Sequence, residues 1–355
     1  MSSATCDHLV IGSTPLAALL AALLATEHGR RVAIVTDPYS PFAMRRSFDL
    51  SMAPLTRPET LMLLRRCGEE TLALLARAGK SLVDKVDPQF VAETPASQAA
   101  LGHFRQLARL LEIAAEPVAD RTVAQGAAIC RVRGVSVIAP ERFGPALDAF
   151  LDRHGVRRCD RLSTTVALRK DGSCEFDAGG QVVEAAATVL ADDASIVALL
   201  TPETRDRVLL PAPALAILAQ PARPMTLPPT VFLDRGVTVG REPSGSIAAI
   251  VEGDPATASE RLAASVQRAL PLRRAGEAQL HRLATLDGAP FVGPGRGHKA
   301  TIIAGLGMTG AFLAPAIARM LVGGSPPDEA AWFARRGPGR GNQRLDAAEF
   351  VAVVP

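Results

Sequence analysis

DHLVIGSTPLAALLAALLATEHGRRVAIVTD, residues Asp7 to Asp37, carries the strongest structural signal near the start of the chain. His8 to Ile11 is a short apolar run with β-branched residues, Pro15 to Thr26 is dense in Ala and Leu, Gly29 stops that helix, and Val32 to Val35 is a second buried strand. The pattern is a βαβ unit. In such a unit the tight turn after the first strand carries backbone amides and the positive helix end to a pyrophosphate, and glycines keep side chains out of its way. Gly12 holds the first glycine position of G-x-G-x-x-G, followed by Ser13, with Thr14 and Ala17 at the second and third. Alanine suits the third place, where helix packs on strand, but threonine at the second puts a branched side chain in the phosphate's path. The acid expected on a ribose falls at Thr36 in the strict register, with Asp37 one residue later. A βαβ unit holding no nucleotide fits these residues as well.

Composition narrows the class. The 355 residues, 48% hydrophobic and 21% charged, suffice for a large core in two domains. Net charge is only +3, lysines occur at 80, 85, 170 and 299 alone, and there is one Trp and one Tyr, which argues against nucleic-acid binding. The five cysteines, at 6, 67, 130, 159 and 174, form no C-x-x-C pair, so we expect a reduced, cytoplasmic compartment and no metal site. Leu16 to Ala25 is too short for a membrane span.

Further along, Pro38 to Asp49 is irregular, with Arg45 and Arg46 either donors to cofactor phosphates or parts of a solvated basic loop. Helical spacing runs from Arg57 to Ala78 and from Ala99 to Ile113. Pro140 opens a helix to His154, and a hairpin joins Ser163–Leu168 to Cys174–Asp177 across Lys170-Asp171-Gly172. Thr188 to Ala191 is a buried strand. Short β-like runs between Leu209 and Glu252, separated by Pro and Gly, predict an antiparallel sheet able to wall a substrate pocket, and Ala256 to Leu270 a surface helix. The tail from Arg335 to Arg344 reads as flexible.

A second motif lies in HRLATLDGAPFVGPGRGHKATIIAGLGMTGAFLAPAIA, His281 to Ala318. Thr301 to Ala304 is a strand, Gly305, Gly307 and Gly310 form a glycine-rich turn, and an apolar helix follows to about Leu321. Arg282, Thr285, Asp287, Gly288, Pro290 and Gly293, then Gly305, Gly310, Ala314 and Pro315, resemble the R-P-x-T-x-D-G-x-P-x-x-G and G-x-x-x-x-G-x-x-x-A-P runs of the D-amino-acid oxidase, glycine oxidase and sarcosine oxidase family of FAD-dependent oxidoreductases. The resemblance covers about residues 8 to 323.

It implies an α/β (α+β) fold: a discontinuous Rossmann-like FAD-binding domain (1–85, 136–208, 283–335), an inserted β-rich substrate domain (86–135, 209–282) and a flexible tail (336–355). It also implies FAD as cofactor, a small-molecule amine or amino acid as substrate, and hydride transfer from substrate Cα to the flavin, leaving an imine that hydrolyses. Gly305, Gly307 and the amides of Met308, Thr309 and Gly310 would face the flavin ring. Arg282 is the candidate for a substrate carboxylate, or else a structural arginine paired with Asp287; Arg241, at the sheet edge, is a second candidate. Oligomerisation, with itself or another chain, stays open.

Departures from the family set a competing expectation. Asp192-Asp193 stands where the family has Ala-Gly, and two carboxylates there would repel a pyrophosphate. The family's substrate-orienting tyrosines are missing, Tyr39 being the only one in the chain. The alternative is a catalytically degenerate subunit or maturation partner of a larger oxidoreductase complex.

Overall fold

The structure, a computed structural model, describes residues 4–37, 49–119, 126–205, 208–223, 227–242, 244–266 and 272–338. From the N-terminus, β1 (Ala4–Ile11), α1 (Pro15–Thr26) and β2 (Val32–Thr36) form the expected βαβ unit, with Gly29 at φ +59° ending the helix. Next come α2 (Pro58–Ala78), β3 (Val83–Val86), β4 (Gln89–Ala92), α3 (Pro95–Leu110), β5 (Ala115–Pro117), β6 (Ala128–Val132) and β7 (Val135–Ile138). Then follow α4 (Pro140–Arg153), β8 (Arg157–Asp160), β9 (Val166–Leu168), β10 (Cys174–Asp177), β11 (Val182–Leu190) and α5 (Asp193–Leu199). The remainder is β12 (Leu209–Pro221), β13 (Thr230–Phe232), β14 (Val237–Arg241), β15 (Ile247–Glu252), α6 (Pro255–Val266), β16 (Leu272–Thr285), β17 (Phe291–Pro294), β18 (Thr301–Ala304), α7 (Ala314–Leu321) and α8 (Pro327–Ala334).

Two large sheets organise these elements. The first has the order β17-β18-β11-β1-β2-β8, with β10 and β9 paired outward from β11. Pairings β18–β11, β11–β1, β1–β2 and β2–β8 are all parallel. Its strands are apolar on both faces because both are covered: Val10, Ile34 and Val189 enter one core with α1, α2, α4 and α7, while Leu9, Ile11, Val35 and Leu190 enter another with Ile196 of α5. The second sheet, order β16-β12-β15-β14-β13-β4-β6-β5, takes its strands from 89–132 and 209–285, and α6 covers one face through Ala258, Leu262 and Val266.

The sheet order places the site. Strands β18, β11 and β1 are adjacent and parallel, so the loops leaving their C-terminal ends, at Gly305, Ala191 and Gly12, lie side by side. In open α/β sheets ligands bind in that crevice. Among the described residues no helix is long and apolar enough to cross a membrane.

Two expectations need correction. The apolar helix read as following directly on the glycine turn begins later: Gly307–Leu313 is a 3-10 helix, and the α-helix starts at Ala314 with Pro315 in its first turn, where a missing N–H costs nothing. The chain from Arg335 to Pro338, read as the start of a flexible tail, is anchored. Arg336 is 3% exposed, its guanidinium lies 4.1 Å above the Trp332 ring and donates to Thr60, and Pro338 packs against Gly293. Residues 339–355 lie outside the described residues.

Candidate functional site

A cavity of about 80 Å³ sits over the three loops. Thr14, Pro15 and Leu16 line it from the N-terminal turn, Ala191, Asp192 and Asp193 from the end of β11, and Gly305, Leu306, Gly307, Gly310 and Ala311 from the C-terminal turn. Asp49, Arg282 and Leu283 close its sides. The two sequence motifs, from opposite ends of the chain, therefore face one space.

The C-terminal turn is shaped by its glycines. Gly305 has φ +72°, and a Cβ there would lie 3.1 Å from Thr285 Cγ2, with the Pro290 Cα at 3.6 Å. Thr285 and Pro290 of the family-like run thus brace the turn from behind, and Asp287 accepts from the Ala289 amide within their own loop. A Cβ on Gly310 would lie 3.0 Å from Leu306 Cβ and 3.8 Å from Leu16, where the two turns meet. Met308 and Thr309 do not line the cavity: the Met308 carbonyl accepts from the Leu50 amide, and Thr309, fully buried, donates its hydroxyl to Leu306.

Several donors of the N-terminal turn already have partners in the protein. Gly12 donates its amide to the Val35 carbonyl at 3.0 Å, and Ala17 donates to Thr14 Oγ1 at 3.4 Å, making Thr14 the N-cap of α1. Thr14 Oγ1 in turn donates to the Ala191 carbonyl at 3.4 Å. Ser13 Oγ accepts the Asp37 amide at 2.8 Å, and the Ser13 amide donates to Asp192 Oδ2 at 2.6 Å. Thr36 and Asp37 are half-buried behind the turn, not in the cavity lining. Arg45 and Arg46 lie outside the described residues.

Asp192 and Asp193 differ sharply. Asp192 is 6% exposed and caps α5, its Oδ1 accepting the Ser195 amide at 2.7 Å while Oδ2 holds Ser13. Burial raises its carboxyl above the ordinary range, against the opposing pull of the Ser13 and Ser195 hydrogen bonds and the more distant Arg161. Asp193 accepts the Leu283 amide at 3.1 Å and lies near Arg282. Both carboxylates that the sequence sets beside a pyrophosphate site thus accept from the protein's own amides, Asp192 from Ser13 and Ser195 and Asp193 from β16.

Arg282 is not paired with Asp287. Its guanidinium bonds Glu252 across β12, and that carboxylate, with Asp193 further off, raises the arginine's pKa against the cost of burial. Arg241 is exposed at the end of β14 and does not line the cavity. Sequence reasoning missed Asp49 in the lining and Glu252 as the partner of Arg282. No local signal marks either, since both are brought in by packing of distant segments. The five thiols are buried, and burial pushes those of Cys6 and Cys67 up to about 11 and about 12, which removes them as nucleophiles near neutrality.

No protein-family model and no curated protein matches the chain by sequence. Solved structures match its fold over nearly the full length. L-proline dehydrogenase from P. horikoshii superposes with a TM-score of 0.73 at 13% identity, covering 94% of this chain and 97% of its own. NikD, an unusual amino acid oxidase essential for nikkomycin biosynthesis, gives 0.72 at 15% identity, covering 97% and 100%. Glycine oxidase from Geobacillus kaustophilus gives 0.70 at 16% identity, covering 93% and 98%. The fold that the sequence motifs imply is thus the fold observed.

A dinucleotide-shaped cofactor can be tested against this cavity. The backbone fits: a Cβ on Gly12 would stand 3.1 Å from Ala17 Cβ, the close approach of helix and strand that the fingerprint requires, and Gly305 and Gly310 keep the opposite wall flat. Beside the cavity, the Ser13 amide next to Thr14 is already held by the Asp192 carboxyl, which does line it.

Proposed function

We propose that the chain is an FAD-dependent oxidoreductase acting on an amino acid or secondary amine. The observation that carries this reading is the meeting of the Gly12–Ala17 and Gly305–Gly310 turns on one cavity at the C-terminal ends of β1, β11 and β18. Similar folds include a proline dehydrogenase, a glycine oxidase and an amino acid oxidase, which supports amine oxidation as the reaction class.

Gly12, Ser13 and the start of α1 would hold the diphosphate, and Gly305, Gly307 and Gly310 the ring. Bound there, the flavin supplies the acceptor for a hydride from the substrate Cα. The chain's own work is positioning and exclusion of water: Leu16, Leu283 and Leu306 supply the apolar part of the cavity wall, and the second sheet supplies the substrate side through β16. The imine so formed leaves and hydrolyses in solvent. Arg282 would take a substrate carboxylate in competition with Glu252, which already holds its Nη1.

The test is direct. Purified protein, as isolated and after incubation with FAD in mildly acidic buffer, should carry a flavin visible spectrum, and anaerobic addition of proline, glycine, sarcosine or their homologues should bleach it for at least one member of the panel. A spectrum that no amine or amino acid bleaches contradicts the reaction class. Protein that stays colourless contradicts the cofactor.

A further inference from the structure

The N-terminal turn carries an anion of its own at the amide where a diphosphate would sit. We propose that Asp192 is a tethered stand-in for the cofactor diphosphate: a specificity residue that must release the Ser13 amide before FAD can take it, so that cofactor capture is coupled to uptake of one proton. The proposal rests on the flavin reading above and adds to it the identity and state of the group that controls loading.

Geometry carries it. The carboxylate is forked between two amides, Ser13 at 2.6 Å and Ser195 at 2.7 Å, bonds of the charge-assisted kind. It also packs on the backbone that the ligand must cross, since a Cβ on Gly12 would come within 3.3 Å of Asp192 Cγ. A phosphate bound at the start of α1 needs that same backbone and that same amide. Two anions cannot share one donor in a buried site without a large repulsion.

Two routes clear the amide. Swinging out as an anion brings Asp192 into a cavity already lined by Asp49 and Asp193, where Arg282 is engaged by Glu252. Arg161 acts on Asp192 from the segment after β8, and Asp37 lies behind Ser13, its amide on the Ser13 hydroxyl. Accepting a proton costs less: the neutral carboxyl keeps its acceptor oxygen on Ser195, retains the α5 cap, and turns a hydroxyl donor toward the incoming phosphate. Burial already biases the group toward that form. Among the described residues no histidine lines the cavity, and burial raises the proton affinity of the Asp192 carboxyl.

The experiment compares wild type with Asp192→Ser, which keeps an N-cap oxygen for Ser195 but is too short to reach Ser13, and with Asp192→Ala should the serine variant fold poorly. FAD affinity is read by quenching of flavin fluorescence from mildly acidic to mildly basic pH, over which the FAD diphosphate diester and ring keep their protonation states. ADP-ribose, which carries the same diester and no flavin ring, is titrated by calorimetry in parallel. In wild type FAD affinity should fall with rising pH by up to about tenfold per unit, and in the variant it should be flat. On the basic side the variant should bind both ligands about ten- to a hundredfold more tightly than wild type. Equal affinities and a flat wild-type profile overturn the proposal and leave the flavin reading standing. Tighter ADP-ribose binding in the variant with no FAD binding by either protein upholds Asp192 as the competing anion and removes the flavin reading. If no protein binds either ligand, both fall.

Discussion

The two glycine-bearing turns of the cavity are built in opposite ways. The C-terminal turn keeps its surface bare: Gly305 and Gly310 admit no side chain, Thr285 and Pro290 brace it from outside the cavity, and α7 behind it is clamped by Arg319 to Glu70 and Glu329. The N-terminal turn has given two of its amides to internal acceptors, Ala17 to Thr14 Oγ1 and Ser13 to Asp192. A fold can therefore conserve the shape of a ligand site at one wall while changing the charge it offers at the other. On the proposed reading, shape at the C-terminal turn suits a flat, ring-like ligand, and charge at the N-terminal turn sets what can accompany it.

The largest effect should come from spoiling the bare wall. Gly310→Asp places a Cβ 3.0 Å from Leu306 and a carboxylate in the cavity, and we predict complete loss of flavin retention through dialysis, read as the ratio of visible to ultraviolet absorbance. Retained flavin in a folded variant would put the ring elsewhere. Next is the clamp behind that wall. The Glu329 side chain is fully buried and held by both Arg319 and Arg66, so Arg319→Ala should cost about 2 to 3 kcal/mol in urea unfolding, less than removal of a sole partner. A change under about 0.5 kcal/mol would show that α7 is held by apolar packing alone.

Smaller effects test the acidic side. Arg282 is 20% and Glu252 39% exposed, so their attraction is partly screened. Glu252→Gln should therefore lower KM for a carboxylate-bearing substrate by about fivefold, equivalent to about 1 kcal/mol, with little effect on a simple amine. Equal changes for both substrates would remove Arg282 from recognition. The smallest is a slope: Asp192 has a folded pKa raised above its ordinary value of 3.8, so its contribution to stability is present below that value and is lost as pH rises through the raised one. The stability of Asp192→Ser relative to wild type should accordingly improve as pH rises from acid to neutral. The opposite slope would mean that the two amide hydrogen bonds outweigh burial.

Much of the frame was legible because it is local. Proline at helix starts (Pro15, Pro58, Pro140), glycine stops, and strands apolar on both faces announce the first sheet without reference to distant residues. Strand β16 was not legible, since LRRAGEAQLHRLAT is rich in charge and is held as a strand by its long pairing with β12. Helix α8 and the Arg336 anchor were missed for the same reason: Arg336 looks like one of a solvated arginine cluster until Trp332 and Thr60 surround it. In the site, the motif glycines and the anomaly at Asp192-Asp193 stood out by comparison with a pattern. Their partners did not, because Ser13 with Asp192, and Arg282 with Glu252, are joined only by the order of strands.

The central claim is that the two turns form one flavin cradle, and titration of the protein with FAD in mildly acidic buffer, followed by its visible absorbance, tests it most directly. The account predicts a saturable shift and sharpening of the flavin bands at one FAD per chain, abolished by Gly310→Asp and displaced by ADP-ribose. A spectrum that remains that of free FAD, in wild type and in Asp192→Ser alike, would contradict it.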